Sequence, residues 1–204
     1  MSPSTVIVDY GMGNLRSVQK AFEICGEKAR VSPSPRDLEK ARRIILPGVG
    51  AFGEAMRRLK KLGLDRLIKK KINAGTPYLG ICLGLQMLFE SSEETPDQEG
   101  LGVFPGAVQR FRVKLKVPHI GWNEVETDPA CPLFKGLGEK PYFYFVHSYF
   151  ALPKERRYTA GATRYPKPFA SAIWKDNVYA TQFHPEKSQK NGLRVIQNFL
   201  DATA

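Results

Sequence analysis

Residues 77–86 read Pro77-Tyr78-Leu79-Gly80-Ile81-Cys82-Leu83-Gly84-Leu85-Gln86. An apolar run enters a cysteine placed between glycines, and a second apolar run leaves it. The pattern predicts a buried strand over Pro77–Ile81 and a helix from Leu83 to about Glu90. This is the nucleophile-elbow arrangement, with Cys where hydrolases carry Ser. A turn that sharp forces the nucleophile into a strained conformation, so its close neighbours must lack side chains. The turn would set the Cys82 thiol at a helix N-terminus, which favours thiolate. It would also aim the Leu83 N–H at the oxyanion formed when that thiolate attacks a carbonyl.

Outward from the elbow, strand and helix alternate. Thr5–Asp9 reads as a buried strand, Gly11-Met12-Gly13 as a turn, and Asn14 as the N-cap of a helix that Gly26 stops. A short strand near Lys28–Val31 follows, then a strand over Arg43–Leu46 that breaks at Pro47-Gly48. Helical periodicity covers about Phe52–Leu62 and Leu64–Asn73. Strands joined by helices predict a parallel sheet with right-handed crossovers. In the second half short β-like runs dominate: Ala107–Val113, Tyr142–Val146, Tyr158–Arg164, Ala170–Trp174 and Val178–Phe183. Asp176-Asn177 joins the last two as a hairpin turn. An amphipathic helix over Gly192–Ala202 closes the chain. The expectation is one α/β domain over residues 1–204, with a mostly parallel central sheet flanked by helices and additional antiparallel strands.

Composition sets the limits. The chain has 204 residues, 42% hydrophobic, 11% aromatic and 25% charged, which excludes a disordered, collagen-like or coiled-coil chain. No apolar run approaches the ~20 residues of a membrane helix. Met1-Ser2-Pro3-Ser4 lacks the features of a signal peptide, so a cytoplasmic location is expected. Lys plus Arg exceed Asp plus Glu by 31 − 20 = 11. Much of that charge lies in Arg57–Lys71 and reads as a solvated helical face. Cys25, Cys82 and Cys131 form neither a disulfide framework nor a zinc pattern. Cys25 reads as core and Cys131 as a structural loop residue. No metal or cofactor is expected.

A cysteine nucleophile needs an imidazole. In Gln182-Phe183-His184-Pro185-Glu186, proline biases His184 toward extended backbone, where residues two apart face the same side. Glu186 can then fix the His184 tautomer and stabilise imidazolium. His147, also at a strand end, is the rival base but has no acidic residue close behind it. His119 reads as a loop or interface residue. Gly48-Val49-Gly50-Ala51-Phe52-Gly53 is a literal GxGxxG, yet no acidic residue stands about 20 positions on, where Ile68-Lys69-Lys70-Lys71 is basic and helical. A better use is a flexible loop beside Cys82, offering a second oxyanion N–H from Val49 or Gly50.

Taken in order, the Pro-Gly-Val-Gly loop, the cysteine elbow and the strand-end His-Pro-Glu resemble the class I (triad) glutamine amidotransferases. Asp9-Tyr10-Gly11-Met12-Gly13-Asn14-Leu15, Pro47–Phe52 and Gly121-Trp122-Asn123 are most similar to the glutaminase subunits of imidazole glycerol phosphate synthase, from histidine biosynthesis. The resemblance implies hydrolysis of L-glutamine through a Cys82 thioester, with His184 as acid and base and Glu186 as its orienter. It implies a glutamine site built from Gln86, Glu94 for the substrate ammonium, and Ser148-Tyr149 backbone for its carboxylate. It implies a 1:1 heterodimer with a (β/α)8-barrel cyclase, with Asn14, Trp122, Tyr144 and Lys187 at the interface. Ammonia would pass to that partner to form imidazole glycerol phosphate and aminoimidazole carboxamide ribotide. By the same resemblance the glutaminase would be nearly idle until the partner binds its ligand, and we expect the Gly48–Gly50 loop to rest with the Val49 N–H turned away, its flip biased by the partner. The rivals are a glutaminase subunit of another synthase (anthranilate, aminodeoxychorismate, carbamoyl phosphate or guanylate), a basic nucleic-acid-binding module, and a stand-alone cysteine peptidase. Neither nucleic acid nor membrane is expected as a partner.

Overall fold

The computed structural model describes residues 5–113 and 115–204. Met1–Ser4, on which the signal-peptide argument rested, lie outside the described residues. Strand β1 (Thr5–Val8) is wholly buried and wholly β-branched, which suits a strand covered on both faces. Helix α1 (Leu15–Ile24) starts at Asn14, whose side chain accepts from the Ser17 N–H at 3.4 Å, and ends before Gly26 at φ +82°. β2 (Arg30–Ser32), α2 (Pro35–Lys40), β3 (Arg43–Gly48), α3 (Phe52–Lys61), α4 (Leu64–Asn73) and β4 (Tyr78–Cys82) complete the first half.

Alternate residues of these strands serve opposite faces. Val6, Val8, Ile44, Leu46 and Tyr78 pack with Leu38 of α2, Met56 and Leu59 of α3, and Ile68 of α4. Ile7, Ile45, Leu79 and Ile81 pack with Val18 and Phe22 of α1 and with Val195, Ile196 and Phe199 of the closing helix. β3 does not break at Pro47-Gly48. It continues through both residues in parallel register with β4, up to Gly48 opposite Cys82.

The helix expected from Leu83 to about Glu90 is a single turn, α5 (Leu83–Gln86), followed by strand β5 (Phe89–Ser92). Residues 83–89 are buried on all sides, so helical periodicity carried no information there. β5 is paired by β6 (Phe104–Arg110). The second half adds β7 (His119–Glu124), β8 (Glu126–Thr127), β9 (Tyr142–His147), β10 (Tyr149–Pro153), β11 (Thr159–Arg164), β12 (Pro168–Lys175), β13 (Val178–Thr181) and α6 (Gln189–Ala202). In the main sheet β2-β1-β3-β4-β13 run parallel, and β12, β10 and β6 extend it with antiparallel pairs. Asp176-Asn177 makes the expected two-residue turn, with Asp176 at φ 50°. His119 is not a loop residue. It opens β7, which pairs antiparallel with β9 in a separate two-stranded sheet, and its side chain is buried. Among the described residues no helix is long and apolar enough to cross a membrane.

Candidate active site

Cys82 sits at the end of β4 with φ 55° and ψ −104°. A non-glycine residue held there costs of order 1–3 kcal/mol and persists only where its surroundings over-determine it. The surroundings do so. A Cβ on Gly84 would lie 1.8 Å from the Leu46 carbonyl oxygen, and one on Gly80 would lie 2.6 Å from the Gly84 oxygen. The buried Tyr78 hydroxyl donates to that Gly84 oxygen at 2.9 Å and pins the turn. Because α5 is only one turn, the dipole available to the thiol is small. The free N–H groups of that turn, beginning with Leu83, remain available.

β13 lies next to β4 in parallel register, Thr181 opposite Ile81, so the chain just past β13 reaches Cys82. His184 is extended there, at φ −99° and ψ 98°, as expected of a residue before proline. Its N–H donates to the Tyr144 carbonyl at 3.0 Å, and its own carbonyl accepts from the Ser188 hydroxyl at 2.7 Å. Its Nδ1 lies 2.8 Å from Glu186 Oε1, with both side chains only 2% exposed. Nδ1 therefore carries the proton bonded to the carboxylate. Among the described residues Nε2 makes no closed hydrogen bond and is left toward Cys82. Burial opposes charge on this imidazole, but Cys82 and then Glu186 outweigh it and push its pKa from 6.5 up to about 10. Cys82 acts on the ring first through charge and then as a hydrogen-bond acceptor for Nε2. The arrangement favours imidazolium beside the sulfur and leaves one ring nitrogen for proton transfer.

The rival base, His147, is committed elsewhere. Its Nδ1 is 2.8 Å from the Tyr149 carbonyl and its Nε2 is 3.0 Å from His119 Nδ1, so neither nitrogen is free for Cys82.

A cavity of about 330 Å³ opens over the thiol. Its lining brings together Val49, Gly50, Cys82, Leu83, Gln86, Glu94, Ser148 and Tyr149, every residue expected for the oxyanion and the substrate. Val49 is exposed, and Gly50 has φ +98°, a conformation open to glycine and strained for other residues. The base of the loop is fixed, because the buried Tyr10 hydroxyl donates to the Pro47 carbonyl at 3.0 Å. Glu94 also accepts from the Phe52 N–H at 2.7 Å, which satisfies an end group of α3. Gln86 donates to the Tyr149 carbonyl at 2.9 Å and to Gln182 Oε1 at 3.1 Å.

Trp122 and Tyr144 face each other across β7 and β9 with ring centroids 6.1 Å apart, and the Lys187 ammonium lies 5.9 Å from the Tyr144 ring. Trp122 is 46% exposed beside Ile120 at 53%, an apolar outer face. Asn14 is exposed at the start of α1, and α1 packs against the turn that carries Lys187.

Sequence reasoning missed Gln182, whose Nε2 donates to Cys82 Sγ at 3.6 Å. The signal was present: Gln182 stands two residues before His184 in an extended run. It also missed Tyr10 and Tyr78, whose carbonyl partners are long-range or hidden inside a turn.

Residues 6–203 match the family model described as glutamine amidotransferase class-I. The chain is 52% identical over 198 residues to the imidazole glycerol phosphate synthase subunit HisH of Thermococcus kodakarensis, covering 95% of this chain and 97% of that protein. It is 48% identical over 203 residues to the subunit of the same name from Syntrophotalea carbinolica, covering 96% and 98%. Among solved structures, one titled as a glutamine amidotransferase superposes with TM-score 0.78 at 21% identity, covering 98% of each chain. The structure of PurLQS from Thermotoga maritima superposes with TM-score 0.79 at 20% identity, covering both chains fully. At those identities the two structures speak to the fold alone.

Proposed function

The chain belongs to the class I glutamine amidotransferase family, and from that premise we propose that it is the glutaminase subunit of an imidazole glycerol phosphate synthase, serving histidine biosynthesis. The observation that carries the reading is the His184 Nε2 left toward Cys82, with Glu186 behind the ring and a cavity open over the thiol. We read residues 1–204 as one catalytic domain.

The steps follow from these groups. Cys82 thiolate attacks the carboxamide carbon of L-glutamine, and the oxygen becomes an oxyanion. Leu83 N–H and a peptide N–H at Val49 or Gly50 receive it. Loss of one such donor costs about 10²–10³ in rate. His184 imidazolium gives its Nε2 proton to the departing nitrogen, ammonia leaves, and a glutamyl thioester remains. Neutral His184 then takes a proton from water as the oxygen attacks the thioester. Glutamate leaves, and thiolate and imidazolium are restored. Glu186 accepts from Nδ1 throughout, which keeps Nε2 facing the reaction. Gln86, Glu94 and the Ser148-Tyr149 backbone hold the substrate.

As a synthase subunit the chain works with a second subunit. We take that partner to be a (β/α)8-barrel cyclase in 1:1 stoichiometry, which receives the ammonia. The outer face formed by Ile120, Trp122, Tyr144 and Lys187, with Asn14, supports this docking. Tyr144 belongs to that face and also accepts the His184 N–H, so docking acts one residue away from the base.

The test is glutamate release from glutamine, with and without the cyclase subunit and its ligand, for wild type and Cys82→Ala. Stimulation by the liganded cyclase that disappears in Cys82→Ala is the expected result. Glutaminase that ignores the cyclase would move the chain to another synthase.

A further inference from the structure

His119 and His147 are buried, lie opposite each other on β7 and β9, and have no step in the hydrolysis. Their hydrogen bonds admit only one direction. The Tyr149 carbonyl can only accept, so His147 Nδ1, at 2.8 Å, carries a proton. A neutral ring then presents a lone pair at Nε2, which takes the proton of His119 Nδ1 at 3.0 Å. That leaves a lone pair on His119 Nε2, filled by the Asn123 amide at 3.2 Å. The Asn123 orientation is itself fixed, since its oxygen accepts from the Glu124 N–H and its amide also donates to the Arg164 carbonyl. Aromatic rings hold the pair in place: Tyr165 and Phe145 both stack on His119, with centroids 4.0 and 5.0 Å away.

The other end of the relay reaches the nucleophile. The Tyr149 carbonyl accepts a second bond, from Gln86 Nε2. The remaining Gln86 proton goes to Gln182 Oε1, and Gln182 Nε2 donates to the Cys82 sulfur. The donations thus run from Asn123 through both histidines to the Tyr149 carbonyl, where Gln86 donates from the other side, and from Gln86 through Gln182 to Cys82.

We propose that His119 and His147 are positioning residues of the glutamine site: a chain of donors that ends on the Tyr149 carbonyl and fixes it, and with it the Gln86 and Gln182 amides that reach the Cys82 sulfur. The inference rests on the glutaminase reading above. Burial supports it by holding both rings neutral: it lowers the pKa of His119 to about 4 and that of His147 to about 3, the latter with the neighbouring histidines adding to the effect. An imidazolium at His147 would put two protons into the His119–His147 bond, and one at His119 would turn an N–H on the Asn123 amide, so either breaks one bond of the chain. The relay also joins the inner face of β7, whose outer face carries Trp122, to the substrate-binding backbone.

The experiment has two arms, both on the complex with the cyclase subunit and its ligand. In the first, ¹⁵N imidazole NMR of wild type at neutral pH should find both rings protonated at Nδ1 and bare at Nε2. In the second, Asn at 147 places its amide N–H where Nδ1 stands, whereas Gln reaches the Nε2 position instead. His147→Asn should therefore keep the bond to Tyr149, and His147→Gln should lose it. One net hydrogen bond corresponds to about a five- to tenfold change, so KM for glutamine should rise by about that factor in His147→Gln. The change in His147→Asn should be smaller, with kcat changing less than KM in both. An Nε2–H signal on either ring, or equal KM values in the two variants, overturns the relay. If a variant does not fold, the wild-type tautomers still decide. Absence of Cys82-dependent glutamate release from wild type would instead refute the glutaminase reading and leave the tautomer result standing.

Discussion

Cys82 and His184 end two neighbouring parallel strands, β4 and β13, yet they are held by different physics. On the cysteine side the constraint is steric and lies in the backbone. Two glycines, a positive φ and a buried tyrosine on the turn carbonyl leave the thiol one place to be. On the histidine side the constraint is polar and lies in side chains. Glu186 holds Nδ1, Ser188 bridges the His184 carbonyl and the Tyr144 N–H, and Tyr144 takes the His184 N–H. A steric constraint fails abruptly when one methyl group is added. A polar one degrades bond by bond, which suits the side that must shift charge and answer a partner.

The sharpest way to break this contrast is Gly84→Ala. Its Cβ would meet a backbone oxygen at 1.8 Å, which no rotamer change relieves. Overpacking ordinarily costs about 1–3 kcal/mol, and a backbone clash should exceed that range. Thermal unfolding should show a large loss of stability together with loss of activity. A folded, active Gly84→Ala protein would refute the steric account of the elbow.

Glu186→Gln should behave in the opposite way. The shape is kept and both side chains are buried, so the melting temperature should change little. A Gln amide can present its N–H to Nδ1 and so favour the wrong tautomer, and turnover should fall by about 10²–10⁴-fold, the scale of general acid–base assistance. Steady-state kinetics beside a melting curve checks both halves. A large fall in stability with turnover intact would mean that Glu186 is structural.

The smallest expected effect is on stability against pH, from the histidines outside the triad. The folded-state pKa values of His119 and His147 are lowered, to about 4 and about 3, from the ordinary 6.5, first by burial. Between those values the unfolded chain binds more protons, so the stability present above pH 6.5 is lost as pH falls toward 4. The melting temperature should drop between pH 7 and pH 5, and replacing both histidines with Phe should flatten that slope. An unchanged slope would mean that the rings are not held neutral.

The same contrast explains what the sequence disclosed. The parallel first half and the elbow were legible because their signals are local. Thr5–Val8 is a run of β-formers, Gly11, Gly13 and Gly26 sit where φ is positive, and Gly80 and Gly84 stand where a Cβ cannot. His184 and Glu186 were legible because proline and a spacing of two suffice. The helix expected up to Glu90 failed because full burial of residues 83–89 erased any periodicity, and pairing with β6 took Phe89–Ser92 as strand. β7 was missed because its partner β9 lies some twenty residues on, and Gly121 at φ +129° weakens any strand reading. α2 has only six residues and no long apolar stripe to announce it. Gln182 to Cys82 spans 100 residues, and His119 to His147 spans 28, contacts that only the folded chain can make.

Of the three cysteines, burial raises the pKa of Cys25 and pushes that of Cys131 up to about 12, while Cys82 alone lines the cavity beside His184. Alkylation by iodoacetamide, mapped by peptide mass spectrometry and followed against glutaminase activity in the cyclase complex, therefore tests the central claim directly. The account predicts one equivalent incorporated at Cys82, protection by glutamine, and activity lost in proportion. Full activity with Cys82 alkylated, or activity lost through modification of Cys25 or Cys131 alone, would contradict it.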